Sequence, residues 1–151
     1  MIEFWVPGIP KPAGSKRAFA HATTGRIMVL DACRGSKDWK ADVAAVAHQN
    51  RPAEPLSGPV SLTMRFHMPR PKSHYQAKGG LKDSAPGWHT SRPDATKLLR
   101  GVEDALTGII WRDDAQVCKQ EVLKIYSMSS GVEIEIEAIV ASGQPPQEVP
   151  A

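Results

Sequence analysis

The sequence contains no long hydrophobic run and no export segment that we can identify. Nowhere among its 151 residues do about 18 apolar residues follow one another, the length that a membrane-spanning helix requires. The first ten residues, MIEFWVPGIP, have neither the basic start nor the extended apolar stretch of a secretory signal peptide. We therefore expect no membrane partner. A chain of this length suits one domain with its own core.

Cysteine is scarce as well. Cys33 and Cys118 stand far apart in the sequence, without the paired spacing of a zinc site and without enough partners for a disulfide framework. A reduced setting such as the bacterial cytoplasm is the expectation that follows.

Charges of opposite sign are separated along the chain. The net charge is only +3, with an isoelectric point near 9.0. Residues 65–100 carry eight Lys or Arg and only two Asp, whereas residues 131–151 carry four Glu and neither Lys nor Arg. A basic middle and an acidic end favour an anionic partner on one face. A basic loop that is simply solvated is an equally ordinary interpretation.

Hydrophobic periodicity predicts an α+β domain. Alternation of apolar and polar residues predicts strands, and a 3.6-residue apolar repeat predicts helices. The predicted strands are 2–6, 26–30, 58–68, 116–127 and 131–140, and the predicted helices are 36–50 and 95–107. A hairpin through 127–131 is expected to join the last two strands. We predict a single domain over 1–140, with two main helices packed on one face of a mixed sheet, and a disordered tail at 141–151.

A loop at 69–93 interrupts the predicted elements. It is rich in proline, glycine and basic residues, and it includes Tyr75 and Trp88. Unstructured loops of this length are often functional or mobile, and cations interspersed with rings are typical of nucleic-acid contact. A disordered surface loop is the alternative. His89, in the same loop, supports a residue of the site, contacts phosphate, or has no special role.

Charged residues cluster around the second predicted helix. Asp94 stands at its start, Asp113 and Asp114 follow its end, and Lys97 and Arg100 share one helix face. Asp94 as a helix cap and Asp113–Asp114 as a turn are ordinary structural uses of Asp. The functional alternative is a Mg²⁺ site for phosphodiester hydrolysis, because Mg²⁺ takes carboxylate oxygens and nearby cations stabilise the charge that develops.

The stretch RPDATKLLRGVEDALTGIIWRDDAQV resembles the RusA-type Holliday junction resolvases. Their motif runs PD-x-D-N-L-x-K, then DAL-x-G, then DDxQ, then a strand with a Lys. The basic, proline-rich segment PGIPKPAGSKR resembles the segment that follows the family's first strand, and the likeness covers about residues 1–140. The matching positions are Pro93, Asp94, Leu98, Asp104, Ala105, Leu106, Gly108, Asp113, Asp114, Gln116 and Lys124.

The resemblance implies a homodimeric endonuclease that uses Mg²⁺, with Mn²⁺ as a substitute, to nick four-way DNA junctions symmetrically during recombination and repair. Members occur in phages and prophages. Asp94 and Asp114 match two metal-binding aspartates of the family, with Asp113 as a further ligand. Arg100 stands in the place of the catalytic Lys.

Two positions depart from the family pattern. Thr96 stands where the second catalytic Asp is expected, and Lys97 stands at the Asn and is assigned a phosphate-binding role. Because Thr96 brings no charge, a branched-DNA-binding relative with impaired cleavage is the alternative function. A basic adaptor protein without any nucleic-acid role is a third.

Basic residues outside the helix are the expected DNA contacts. They are Lys11, Lys16 and Arg17 in the segment after the first strand, and Arg70, Lys72, Lys78 and Arg92 in the long loop. Their contribution would be electrostatic and independent of DNA sequence.

Helix geometry separates two of the aspartates. Asp104 follows Asp94 by ten residues, or roughly 15 Å of helix, so a structural role is expected for it. Asp94 and Asp114 are expected to lie within about 8 Å of each other, inside one chain or across a dimer, if they share a hydrated ion.

Overall fold

The computed structural model describes the backbone of residues 1–14, 16–20, 27–31 and 35–147, and the side chains of 1–14 and 35–147. The elements in chain order are β1 (Ile2–Pro7), β2 (Lys16–Ala20), β3 (Ile27–Asp31), α1 (Ser36–Gln49), β4 (Val60–Met68), α2 (Ala95–Leu106), β5 (Val117–Tyr126) and β6 (Gly131–Ala138). Short 3-10 turns occur at Lys72–His74 and Asp114–Gln116.

The main sheet has four strands in the order β1-β6-β4-β5. β4 and β5 run parallel, and the other neighbours run antiparallel, so the sheet is mixed as predicted. β2 and β3 form a separate antiparallel pair. Along β4, buried residues alternate with half-buried ones, which is the pattern of a strand with one face in the core.

Both helices cover the same face of the main sheet. Trp39 and Val43 of α1 and Leu98 and Val102 of α2 are buried in one cluster with the inward residues of β1, β4 and β6. The large residues Trp111, Phe66 and Leu62 belong to this core, as the apolar patterns predict. The prediction of a single α+β domain with two helices on one face is therefore confirmed.

The predicted hairpin between the last two strands is wrong. β4 lies between β5 and β6, and residues 127–130 cross its end, where the Ser127 nitrogen donates to the Met68 oxygen at 3.0 Å. In addition, β2 was not predicted, because its sequence follows a proline-rich segment. An alternating pattern identifies a strand but not its neighbour, since several strands here have equally apolar inner faces.

The loop at 69–93 is docked onto the sheet rather than structureless. Residues 87–89 run antiparallel to the outer edge of β5. The Tyr126 nitrogen donates to the Gly87 oxygen at 2.9 Å, and the His89 nitrogen donates to the Lys124 oxygen at 3.1 Å. Tyr75 pairs with Leu81 within the loop. The loop therefore protects the β5 edge and leads directly into α2. No helix in the described parts of the chain is long and apolar enough to cross a membrane.

Candidate functional site

Asp94 occupies the cap position of α2 without acting as a cap. Its backbone is extended (φ −68°, ψ 144°), as a helix cap requires, but its carboxylate accepts no hydrogen bond from the helix. Instead its Oδ2 lies 3.9 Å from Nζ of Lys97, and 64% of the side chain is exposed. Because the helix makes no hydrogen bond to this carboxylate, the carboxylate is available to an ion or a substrate.

Lys124 fixes the segment that leads into Asp94. Its Nζ donates to the Ser91 oxygen at 2.9 Å and to the Pro93 oxygen at 2.8 Å. The backbone of the same lysine binds the nitrogen of His89 at 3.1 Å. One strand residue thus holds the loop at His89, Ser91 and Pro93, just before α2 begins. This arrangement fixes the backbone from which the Asp94 side chain extends.

An open groove of about 700 Å³ lies beside Asp94. Its walls come from residues 9–12, from the end of β4, and from the segment between His89 and Lys97. Lys11, Arg92 and Lys97 contribute three positive charges to the lining, and Asp94 contributes one negative charge. The groove is therefore net positive around a single exposed carboxylate, which favours an anionic ligand.

The proline-rich segment crosses α2 at a helical glycine. A Cβ added at Gly101 would lie 3.4 Å from the Ala13 nitrogen and 3.5 Å from the Lys11 oxygen, which is ordinary van der Waals contact. The Ala13 nitrogen donates to the Lys97 oxygen at 2.9 Å, which ties the segment to α2. The backbone of the segment thus leaves no room at Gly101 for a side chain much longer than a Cβ.

His89 forms part of the groove and is largely removed from solvent. Its residue is 8% exposed, its ring lies 4.9 Å from the Tyr126 ring in an edge-to-face arrangement, and its Nδ1 is buried with no partner among the described residues. Burial lowers the pKa of the imidazole, and the charge of Lys124 lowers it further. The ring is accordingly neutral around pH 7.

Asp113 has a structural task in the turn before β5. Its Oδ1 accepts from the Ala115 nitrogen at 2.9 Å, and Gln116 completes a capping box by accepting from the Asp113 nitrogen. The hydrogen bond from Ala115, followed by one to Asp114, holds the pKa of Asp113 below its usual value. Gln116 also donates to the oxygens of Leu56 and Gly58, which anchors the turn. Asp114 is presented on the surface of this anchored turn.

The charge of Asp114 acts on Glu103, in the second half of α2. Burial raises the pKa of Glu103, a hydrogen bond from Gln120 opposes this, and the negative charges of Asp114 and Asp104 add to the increase. Glu103 follows Asp94 by nine residues, or roughly 13 Å along the helix axis. Within one chain, the charge of Asp114 thus acts on the second half of α2, whereas Asp94 stands at the start of the helix.

The described residues contain no group of three potential metal ligands. Across the parts of the chain that the structure describes, no three His, Cys, Asp or Glu side chains are grouped so that they could hold an ion. Thr96, at the place of the second aspartate, is exposed. Asp104 pairs with Lys40 at 3.5 Å, in keeping with the structural role expected for it. Arg100 is exposed on the helix face that also carries Lys97.

Lys11 lines the groove, and the other expected DNA contacts fall into three groups. Lys72, Lys78 and Arg92 are exposed on the loop. Arg70 is engaged inside the loop, where its Nη1 donates to the Pro86 oxygen at 2.7 Å and its guanidinium lies 5.2 Å from the Tyr126 ring centroid. The side chains of Lys16 and Arg17 lie outside the described residues.

Three features of the site were not evident from the sequence. The hydrogen bonds of Lys124 join residues more than 30 positions apart, and the Glu103–Gln120 contact joins two elements. No spacing rule relates such residues, although the Lys on this strand matches the family motif. The burial of His89 depends on the docking of the loop against β5.

Comparison with known proteins gives two matches that cover nearly the same residues. The family of endodeoxyribonuclease RusA matches residues 7–137. The uncharacterized protein YqaN of Bacillus subtilis (strain 168) is 35% identical over 142 residues, which cover 93% of this chain and 98% of YqaN. The family match includes the groove and the whole of α2. The chain belongs to the RusA endodeoxyribonuclease family.

Proposed function

We propose that this protein is a Mg²⁺-dependent, structure-selective endodeoxyribonuclease that resolves four-way DNA junctions by paired nicks. The observation that carries the proposal is the uncapped Asp94 carboxylate beside a net-positive groove, in a chain of a nuclease family. An anionic backbone suits the groove, and a carboxylate at its side suits phosphodiester hydrolysis.

The basic residues hold the DNA in this proposal. Lys11, Arg92 and Lys97 line the groove and contact the phosphates of the strand to be cut. Lys72 and Lys78 on the exposed loop contact the flanking duplex. Because these contacts are electrostatic, binding weakens steeply as the salt concentration rises.

The metal ion is proposed to lie between two chains. The described residues of one chain do not form a three-ligand group, and the charge of Asp114 acts on Glu103, which follows Asp94 by nine residues on α2. A two-fold dimer that brings Asp94 of one chain to Asp114 of the partner subunit would supply both carboxylates. When bound there, Mg²⁺ or Mn²⁺ would activate water and neutralise charge.

The other residues of α2 act on the phosphate. Lys97 lies beside Asp94, and Arg100 is three residues further on the same face. Both side chains stabilise the negative charge that develops on the phosphate oxygens during cleavage. Lys124 fixes the backbone before Asp94 and so keeps the carboxylate at a constant position relative to these cations.

A nicking assay on a synthetic four-way junction with Mg²⁺ tests this function. We expect the wild type to cut opposing strands and Asp94→Asn and Asp114→Asn each to lose roughly 100-fold or more in rate, the scale of losing one charge-stabilising group. Both substitutions keep the side-chain volume, and Asp104→Asn is the control on the same helix. Equal cleavage by the wild type and both variants would remove these residues from the mechanism.

Thr96 supports a second candidate, a junction-binding protein with impaired cleavage. This exposed residue brings no charge to the position of the expected aspartate. Under this alternative the wild type binds the junction but cuts it with neither Mg²⁺ nor Mn²⁺, and Thr96→Asp gains nicking activity. Full wild-type cleavage with no gain from Thr96→Asp argues against the alternative.

A further inference from the structure

The groove beside Asp94 has an uncharged floor. Its most buried lining residues are Pro10, Met68 and His89, and His89 is the one uncharged polar side chain among the described residues that line it. Met68 is 3% exposed and His89 is 8% exposed. The floor is thus apolar apart from one imidazole.

The charged residues of the groove lie further out. Arg92, Asp94 and Lys97 are exposed, and Lys11 is half-buried. A phosphate on the floor would lose its water without a cation at the same depth, whereas a phosphate at the mouth meets three cations. The groove therefore separates a place for an uncharged group from a place for an anion.

His89 has an unused hydrogen-bonding capacity. Its ring lines the groove, and its buried Nδ1 has no partner in the described part of the chain. Buried polar atoms normally have a partner, so an unpaired nitrogen in a ring that lines the groove can serve a ligand once the ring turns to expose it. A neutral imidazole offers one donor and one acceptor, as the edge of a nucleobase does.

We propose that this groove binds an extruded nucleotide of the DNA strand, with its base against His89, Met68 and Pro10 and its phosphate at the cationic mouth. The proposal rests on the proposed DNA-cleaving function, since the nucleotide belongs to the strand that passes Asp94. The volume of about 700 Å³ falls within the roughly 300–1,000 Å³ of small-molecule sites. Bases at a branch point are the least costly to unstack, so the groove would favour branched over regular duplex DNA.

Fluorescence of 2-aminopurine measures extrusion without any need for cleavage. The base analogue is placed at one branch-adjacent position at a time in a four-way junction, with no divalent cation present. We expect binding of the wild type to raise the fluorescence at one position, because a base that leaves the stack loses its quenching. His89→Phe fills the same space without a hydrogen-bonding atom and should abolish the increase. His89→Asn keeps a polar atom and should retain part of it, and His48→Asn, on α1, is the matched control.

An abasic site provides a second measurement that does not depend on the stability of a variant. Removing the base at the responding position should weaken binding of the wild type roughly ten-fold, the scale of one lost base contact. For His89→Phe the same abasic site should cause no further loss of affinity, because the substitution and the missing base remove the same interaction. Additive losses would overturn the proposal.

The outcomes separate this proposal from the proposed function. A wild type that binds and cuts junctions but shows no responding position, or responds equally in His89→Phe, overturns the nucleotide site alone. A wild type that does not bind the junction at all overturns both.

Discussion

At the scale of single residues, Asp94 and Lys124 show how the site is prepared before any ligand arrives. Asp94 has the backbone geometry of a cap but leaves its carboxylate unused by the helix. Lys124 uses its ammonium group to satisfy two carbonyls of the preceding loop. The cation therefore stabilises backbone geometry, while the carboxylate remains free for chemistry.

Replacing Lys124 tests this division of roles. Lys124→Met keeps the length of the side chain but removes both hydrogen bonds, so we expect a loss of about 1–3 kcal/mol of stability. Nicking at saturating junction should fall more than junction affinity, because Asp94 loses its fixed position. Lys119→Met, an exposed lysine on the same strand, is the control. Chemical denaturation and single-turnover nicking measure the two effects, and an unchanged nicking rate in Lys124→Met would contradict the positioning role.

Glu103 should make stability depend on pH. Its pKa is raised in the folded protein, chiefly by burial, so its protonated form is favoured by folding. The stability from this group is complete below the unfolded pKa and is lost as pH rises through the folded pKa. Glu103→Gln should therefore melt at a higher temperature than the wild type at pH 7. The difference should shrink as the pH falls toward the unfolded pKa of the glutamate, because the wild-type side chain then becomes protonated.

Thermal unfolding between pH 4 and pH 7 measures this effect. The exposed Glu54→Gln in the segment between α1 and β4 provides the comparison. A melting-temperature gain in Glu103→Gln that persists unchanged at low pH would point to packing rather than charge.

At the scale of elements, α2 organises the site because three separate segments meet it. The loop at 69–93 enters at its first turn, and the segment at 11–13 crosses it at Gly101. In its second half, Glu103 accepts a hydrogen bond from Gln120 of β5. Its buried residues meanwhile pack on the sheet. The helix is thus a rigid spacer that determines how far apart the charged groups lie.

Gly101→Leu tests the crossing of the proline-rich segment. The new side chain would meet the backbone of Lys11, Pro12 and Ala13, so we expect about 1–3 kcal/mol of destabilisation from overpacking. Lys11 should move away from the groove, and junction affinity should fall. Gly87→Leu has open space around its Cβ and provides the control. Denaturant titration and junction binding measure both effects, and wild-type affinity in a folded Gly101→Leu would contradict this account.

At the scale of the whole molecule, the charges are divided between two faces. The groove is net positive, while the sheet face away from the helices carries Glu133 and Glu135, with Arg65 2.8 Å from Glu135. Interaction with Glu135 raises the pKa of Arg65. Under the proposed function, the acidic sheet face would repel DNA and the groove would attract it, which gives the molecule one direction of approach.

Mixed dimers test whether an active site needs two chains. A dimer of one Asp94→Asn chain and one Asp114→Asn chain would have one site with both substitutions and one site with neither. Two differently tagged, individually inactive variants should thus regain about half of the wild-type nicking rate when co-purified, since one of two sites is intact. They should produce single nicks rather than paired cuts. Mixed dimers as inactive as either parent would instead favour a site within each chain.

The local patterns and the family motif are informative to different degrees. The alternation in β4 and the apolar repeat of α2 identify those elements, and the start of α2 after Pro93 follows from proline stereochemistry. The motif singles out Asp94 and Asp114. Neither could show that β4 separates β5 from β6, because strand pairing depends on long-range contacts that no spacing encodes.

The sequence alone determined the fold class, the position of Asp94 at the start of a helix, and membership of a nuclease family, because these depend on local periodicity and on residue identity. Only the tertiary structure decided that Asp94 does not cap its helix, that Lys124 holds the loop before it, and that His89 is buried in a groove. It also brought Asp114 close enough to Glu103 for its charge to raise the pKa of that glutamate. These facts follow from which surfaces pack together, and packing is a property of the whole chain rather than of any one segment.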